Sequence, residues 1–195
     1  MPKHPWRKGH VVAPEELVVL VDERDRERGS SPKLAAHVVG ELHRAFSVFV
    51  FDPQGRLLLQ RRALGKYHSA GLWSNTCCGH PRPGEPVAKA AHRRLREEMG
   101  IDCLLRPAFD FIYRAELENG LIEHEYDHVF VGRFAGVPAP NPDEVAEWRW
   151  ASVSAVTAEL ESEPARYTAW LRIALDGLTE RGLVPAGGAQ PPARQ

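Results

Sequence analysis

The alternation of apolar and polar residues, broken by Gly and Pro, divides this 195-residue chain into strands and helices. Leu17–Val21 is an apolar run of strand length. Ala45–Phe51, rich in Val and Phe, precedes Pro53-Gln54-Gly55 and a second run, Arg56–Gln60; strand, turn and strand predict a β-hairpin. Pro86–Met99 changes period. Val87, Ala91 and Leu95 recur four apart, with Met99 next, and predict one buried helical face. Pro86 is expected in the first turn and Gly100 at the C-cap. Arg94 and Glu98, also four apart, share the neighbouring stripe. Phe109–Arg114 and Glu123–Phe134 predict two strands around the Glu118-Asn119-Gly120 turn, and a further strand lies near Glu147–Ala151. Val153–Leu160 and Ala165–Leu178 predict two C-terminal helices. Strands interleaved with a few helices point to an α+β fold, a mixed sheet sandwiched between helices.

The expected organisation is one domain over residues 11–183. A flexible N-terminus, 1–10, precedes it, and a disordered Gly/Pro/Gln-rich tail, 184–195, follows. A hydrophobic share of 43% is ordinary for a globular chain and supplies a sizeable core. The net charge of −1 gives no reason to expect nucleic acid or an anionic membrane as partner. No apolar run approaches the ~20 residues that span a bilayer, and the basic N-terminus lacks the apolar stretch of a signal peptide. Three cysteines, two of them adjacent, make a disulfide framework improbable and a reducing cytoplasm the expected home.

Candidate chemistry starts with the histidines, nine in all. His37, His43 and His80 stand out, together with Glu123-His124-Glu125, where strand geometry puts both carboxylates on one face. Three imidazoles and two carboxylates would make an N3O2 site for Zn²⁺, Mn²⁺ or Fe²⁺ rather than a structural zinc finger. The spacing alone leaves open that each is a surface or hydrogen-bonded core histidine, as expected for His4, His10, His68, His92, His124 and His128.

A second motif follows Trp73-Ser74-Asn75-Thr76-Cys77-Cys78-Gly79-His80-Pro81. From Gly79 the chain runs five residues to Glu85, then seven to Arg93-Arg94-Leu95-Arg96-Glu97-Glu98-Met99-Gly100-Ile101. This frame is similar to the Nudix box, with Arg94 where the box carries Glu. A cation there weakens the hydrolytic metal cluster but suits direct contact with a diphosphate. With His43–Phe49, Gln60–Leu64, Lys66, Tyr113-Arg114-Ala115, Glu123-His124-Glu125 and Trp170, the chain resembles type 1 isopentenyl diphosphate isomerases from about Lys33 to Trp170.

That resemblance implies a Nudix fold and an isomerase that interconverts isopentenyl and dimethylallyl diphosphate in isoprenoid biosynthesis, a small-molecule enzyme expected to be monomeric. It implies that His37, His43, His80, Glu123 and Glu125 hold one divalent metal, Mn²⁺ or Zn²⁺. Glu98 and the backbone carbonyl of Cys78 would hold Mg²⁺ with the substrate diphosphate. Lys33, Arg62, Lys66 and Arg94 would line that diphosphate, and Cys78, Tyr113, Glu125 and Trp170 would be the catalytic groups.

The chemistry asks for these residue types. Moving a double bond by one carbon needs an acid able to protonate an alkene, a base on its far side and a partner for a cation between them. Metal-linked Glu125 near the Tyr113 hydroxyl suits the first task. A Cys78 thiolate, its fraction raised by nearby cations, suits the second. The Trp170 indole face suits the third without trapping the cation. Cys77 and Cys103, and Trp6, Trp73, Trp148 and Trp150, are expected to pack, and Glu97 to lie on an exposed face. The competing expectations are a Nudix hydrolase, which Arg94 disfavours, and a non-enzymatic metal-binding module.

Overall fold

The computed structural model describes residues 16–185. The expected N-terminal arm, 1–10, and all but Val184 and Pro185 of the expected tail lie outside the described residues. In chain order the strands are β1 (Leu17–Val21), β2 (Glu27–Pro32), β3 (His43–Phe51), β4 (Leu57–Arg62), β5 (Trp73–Ser74), β6 (Cys77–Gly79), β7 (Leu105–Glu116), β8 (Ile122–Arg133) and β9 (Val145–Ala151). The helices are α1 (Lys33–Val39), α2 (Val87–Met99), α3 (Val153–Ser162) and α4 (Ala169–Glu180), with 3₁₀ turns at Glu118–Gly120 and Pro164–Arg166. Among the described residues the nine strands form one mixed sheet.

β3 organises the sheet. Val and Phe throughout give it no solvent face, and every residue from Ala45 to Phe51 is buried. One edge pairs in parallel with β8, His43–Phe51 against Glu125–Arg133. The other edge is shared in succession by β1 (at His43), β6 (Phe46 to Val48) and β4 (at Phe51). The expected hairpin therefore exists, but its arms pair only at the tip and then splay. β4 leaves to pair with β9 and β5.

The segment Asn75-Thr76 is the wedge between the arms. Thr76 Oγ1 accepts from Val50 N at 2.9 Å and donates to Leu58 O at 2.7 Å, so one hydroxyl satisfies both splayed strands. Asn75 Nδ2 donates to Val48 O and Cys77 O at 3.2 and 2.8 Å. Val50 N and Leu58 O are buried backbone groups that the missing β3–β4 pairing leaves without a ladder partner.

Helices cover both faces. Ala90, Ala91, Leu95 and Met99 of α2 pack on Phe46, Val48, Val50 and Leu58. Leu171, Ala174, Leu175 and Leu178 of α4 pack on Phe49, Phe51, Leu57 and Leu59, together with Val156 and Leu160 of α3. Pro86 is the N-cap of α2, extended at ψ 135°, rather than a residue of its first turn. Gly100 ends the helix at φ 64°, and an added Cβ there would collide with the Ala139 carbonyl. The last helix begins at Ala169, not Ala165. Thr168 N donates to Trp73 O at 3.0 Å, which holds Tyr167–Thr168 extended against β5.

Candidate active site

Period-two alternation divides one face of the sheet into an apolar end and a polar end. Along β3 that face reads His43, Ala45, Ser47, Phe49, Phe51; along β8 it reads Glu123, Glu125, Asp127, Val129; along β7, Tyr113, Phe111, Phe109. Register locks these together: His43 lies opposite Glu125, Tyr113 opposite Glu125 and Ser47 opposite Cys78. The phenylalanine end joins the core beneath α4. The other end lines a cleft of about 670 Å³, within the size range of small-molecule sites. Cys78 and Glu125 come from strands on opposite edges of β3.

His37, His43, His80 and Glu123 each bring one ligand atom to within 4.8 Å of the others, and all four are buried. His37 Nδ1 donates to Lys33 O at 2.6 Å and His43 Nδ1 to Glu41 O at 2.8 Å. Those bonds fix the tautomer and turn both Nε2 lone pairs toward the cluster. His37 Nε2, His43 Nε2 and Glu123 Oε2 are buried there without a hydrogen-bond partner. Burial holds His43 down to about 4 and His80 well below the usual range, so both imidazoles are neutral, the form that ligates metal. The donor set and its orphaned atoms fit a divalent cation. Glu125 Oε1 completes the group at 2.9 Å from His80 Nε2 and 3.8 Å from His43 Nε2. Burial, then the charge of Glu123, pushes the Glu125 carboxyl well above the usual range.

Tyr113 Oη donates to Glu125 Oε2 at 2.6 Å. Cys78 Sγ lies 4.0 Å from Arg62 Nη1. The Arg62 cation favours the thiolate, as expected, but burial outweighs it and pushes the thiol up to about 12, with Glu98, Glu125 and Glu123 reinforcing the rise. Cys78 is a thiol in the ligand-free protein. Trp170, in the first turn of α4, donates from Nε1 to Ser74 Oγ and Asn75 Oδ1, both at 3.1 Å. The wedge that separates β3 from β4 thus also orients the indole.

Cations and carboxylates share the remaining wall. Glu98 reaches the cleft from α2, fastened by Gln60 Nε2 at 2.7 Å and Arg94 Nη2 at 2.6 Å. Lys66 and Arg94 both pair with Glu144, which precedes β9. Lys33 pairs with Glu16 at 3.1 Å, and its Nζ lies 5.6 Å from the centre of the Tyr67 ring.

A NUDIX domain model matches residues 41–171. Isopentenyl-diphosphate Delta-isomerase 2 of Aromatoleum aromaticum is 55% identical over 176 residues, 90% of this chain and 93% of that protein. The Burkholderia multivorans isopentenyl-diphosphate Delta-isomerase is 56% identical over 162 residues, 83% of this chain and 92% of its own. The chain belongs to the isopentenyl-diphosphate Delta-isomerase family of NUDIX-domain proteins. Solved structures share this isomerase's fold at lower identity. A Deinococcus radiodurans protein superposes with TM-score 0.65 at 21% identity, over 76% of this chain and 90% of its own. A MutT protein from Methanosarcina mazei gives 0.59 at 21%, over 72% and 95%.

In this Delta-isomerase family member Cys78, Glu125, Tyr113, Trp170, Lys33, Arg62, Lys66, Arg94, His80, Glu123 and Glu98 all line the one cleft, with His37 and His43 buried behind it. His68 and Glu144 are among the lining residues that the sequence did not single out. His68 is buried, its Nε2 3.4 Å from Glu123 Oε1 and its ring edge-on to Trp170. Its carbonyl and that of Ser69 accept from Arg62 at 3.2 Å. No local pattern marks Glu144. His92, His124 and His128 make hydrogen bonds away from the cleft. Cys77 is buried in the α2 core and all three cysteines are free thiols.

Proposed function

We propose that this chain interconverts isopentenyl and dimethylallyl diphosphate by adding a proton to one face of the alkene and removing one from the other. The observation that carries this is a thiol and a carboxyl on strands flanking opposite edges of β3, the carboxyl hydrogen-bonded to Tyr113, in a single cleft lined by an indole. One C–H bond forms and another breaks, and the diphosphate is untouched.

His37, His43, His80, Glu123 and Glu125 would hold one divalent ion, Mn²⁺ or Zn²⁺, and Glu98 with the Cys78 carbonyl would hold Mg²⁺. Such ions would supply acidification of bound groups and neutralisation of phosphate charge. The chain's own groups do the rest. Glu125 delivers the proton on its face of the cleft, with Tyr113 steadying Oε2 through its hydrogen bond. Cys78 removes the proton from the opposite face and, as a thiol, donates in the reverse direction. The thiolate is the form that acts as base, and Arg62 beside the sulfur favours it. The Trp170 face stabilises the positive charge between the two steps. Lys33, Arg62, Lys66 and Arg94 grip the diphosphate, guanidinium forks suiting its oxygens.

No helix among the described residues is long and apolar enough to cross a membrane. We take the protein to be monomeric and cytoplasmic, without nucleic-acid or membrane partner; its elution volume on gel filtration tests the first point.

The deciding experiment incubates the protein with isopentenyl diphosphate and Mg²⁺ in D₂O. Deuterium in an acid-labile allylic product is expected. Phosphate release without isomerisation would instead make it a hydrolase. Cys78→Ala and Glu125→Gln should each lower turnover by at least about 10²–10⁴-fold with the fold intact; near-wild-type turnover in either removes that residue from its role.

A further inference from the structure

Arg94 is caught among carboxylates. Its guanidinium meets Glu98 Oε1 through Nη2 at 2.6 Å and Nε at 3.1 Å, and Glu97 Oε2 through Nη1 at 3.0 Å. Nη2 also lies 3.2 Å from Glu144 Oε2. That same Glu144 oxygen takes the Lys66 ammonium. Lys66 follows β4, Arg94 belongs to α2 and Glu144 precedes β9, so three separate elements converge on one atom. An anionic oxygen bridging an ammonium and a guanidinium is the contact a phosphate oxygen makes with the same pair. Glu144 is also fixed from behind: its carbonyl accepts from Ala63 N and its N–H donates to Asn141 O, both at 3.0 Å.

We propose that Glu144 is a specificity-determining residue that makes the cleft select magnesium-complexed diphosphate over free diphosphate. This rests on the proposed function, which gives Lys66 and Arg94 to the diphosphate and Glu98 to Mg²⁺. A free diphosphate entering beside Lys66 and Arg94 also meets the Glu144 carboxylate that they pair with. Complexation by a divalent cation removes two charges from the ligand, so the repulsion falls. Each of those two charges, about 6 Å from the carboxylate in a water-like dielectric, changes affinity about threefold, so the pair sets a preference of about tenfold. Glu98 contributes differently. Its Oε1 is shared with Arg94, and when Oε1 turns to a cation, Glu144 still holds Arg94 beside Lys66, facing the phosphate.

The test titrates the full chain with inorganic pyrophosphate by calorimetry, in magnesium-free buffer and in excess Mg²⁺. Glu144→Gln should bind free pyrophosphate more tightly than wild type while the magnesium complex gains far less, compressing the ratio between the two ligands about tenfold. An unchanged ratio overturns the proposal. Glu144→Ala serves as a second variant, with thermal melts confirming that both fold. Arg94→Ala separates this inference from the reading beneath it. If Arg94→Ala weakens binding of the magnesium complex and Glu144→Gln leaves the ratio unmoved, only the role of Glu144 is lost. If Arg94→Ala changes nothing, the diphosphate assignment itself has failed and this inference fails with it.

Discussion

Thr76→Val replaces a hydroxyl by a methyl of nearly the same volume, so it tests hydrogen bonding without opening a cavity. Val50 N and Leu58 O, both on fully buried residues, lose the partner that bridges the splayed strands. A buried group left unsatisfied costs ~1–3 kcal/mol, so two cost about 4 kcal/mol, a large part of a typical stability of roughly 5–15 kcal/mol. With a urea m-value near the upper end of about 1–3 kcal/mol per M, the unfolding midpoint should fall by more than about 1 M. Thr76→Ser keeps the bridge and loses one methyl, an expected cost of about 1 kcal/mol. Urea denaturation followed by tryptophan fluorescence reads both variants. If the valine variant loses less than the serine variant, the hydroxyl is not what holds the arms apart, and the wedge account is wrong.

Trp170→Ala should lower kcat by at least about 30-fold, the equivalent of ~2 kcal/mol of cation–π stabilisation, with Trp170→Phe in between; equal kcat in all three proteins would leave the indole as packing. Stripping the histidine-site metal with a chelator should lower Tm by about 10 °C, because saturating metal at 1,000 times its Kd contributes about 4 kcal/mol to a domain of this size. A melt that ignores both chelation and re-addition of Mn²⁺ or Zn²⁺ would remove the ion from that cluster. Glu85 is held down to about 2, chiefly by the Arg93 side chain, whose Nε and Nη2 both lie at 2.8 Å. Its folded value lies below its unfolded one. The stability it contributes is therefore complete above about pH 4.5 and disappears as pH falls towards 2. Glu85→Gln should cost about 1–2 kcal/mol at pH 7, after allowance for solvent screening, and little at pH 2; a pH-independent difference would refute the ion pair as its source.

The sequence was legible where local pattern and final packing agree. The four-residue recurrence in α2 and the Val/Phe run of β3 survive into the fold because each buries one coherent surface. β2 was not legible: Glu-Arg-Gly-Ser-Ser-Pro is polar and exposed, and it is a strand only because β1 supplies an edge. α1 was missed for a related reason. It is seven residues long, begins after Pro32 without a side-chain cap, and leaves Leu34, Val38 and Val39 exposed. Docking of Ala36 and His37, not periodicity, keeps it helical. At the site, strand period put Glu123 and Glu125 on one face, and the family resemblance gave them their place beside the histidines. His68 and Glu144 were not legible, since each gains its place from partners distant in sequence, Glu123 for the one and Lys66 with Arg94 for the other.

The sharing of β3 among many neighbours has a cost during synthesis. Its β6 partner is available once Gly79 has been made, but the strand that seals its opposite edge is complete only at Arg133. At ribosomal speeds of about 5–20 residues per second, this Val- and Phe-rich ribbon waits roughly 3–10 s with one side unpaired. An open edge of that composition is a template for intermolecular pairing. Stalled or truncated nascent chains that end within this interval are accordingly the species expected to aggregate or to engage chaperones, whereas chains released beyond it are shielded.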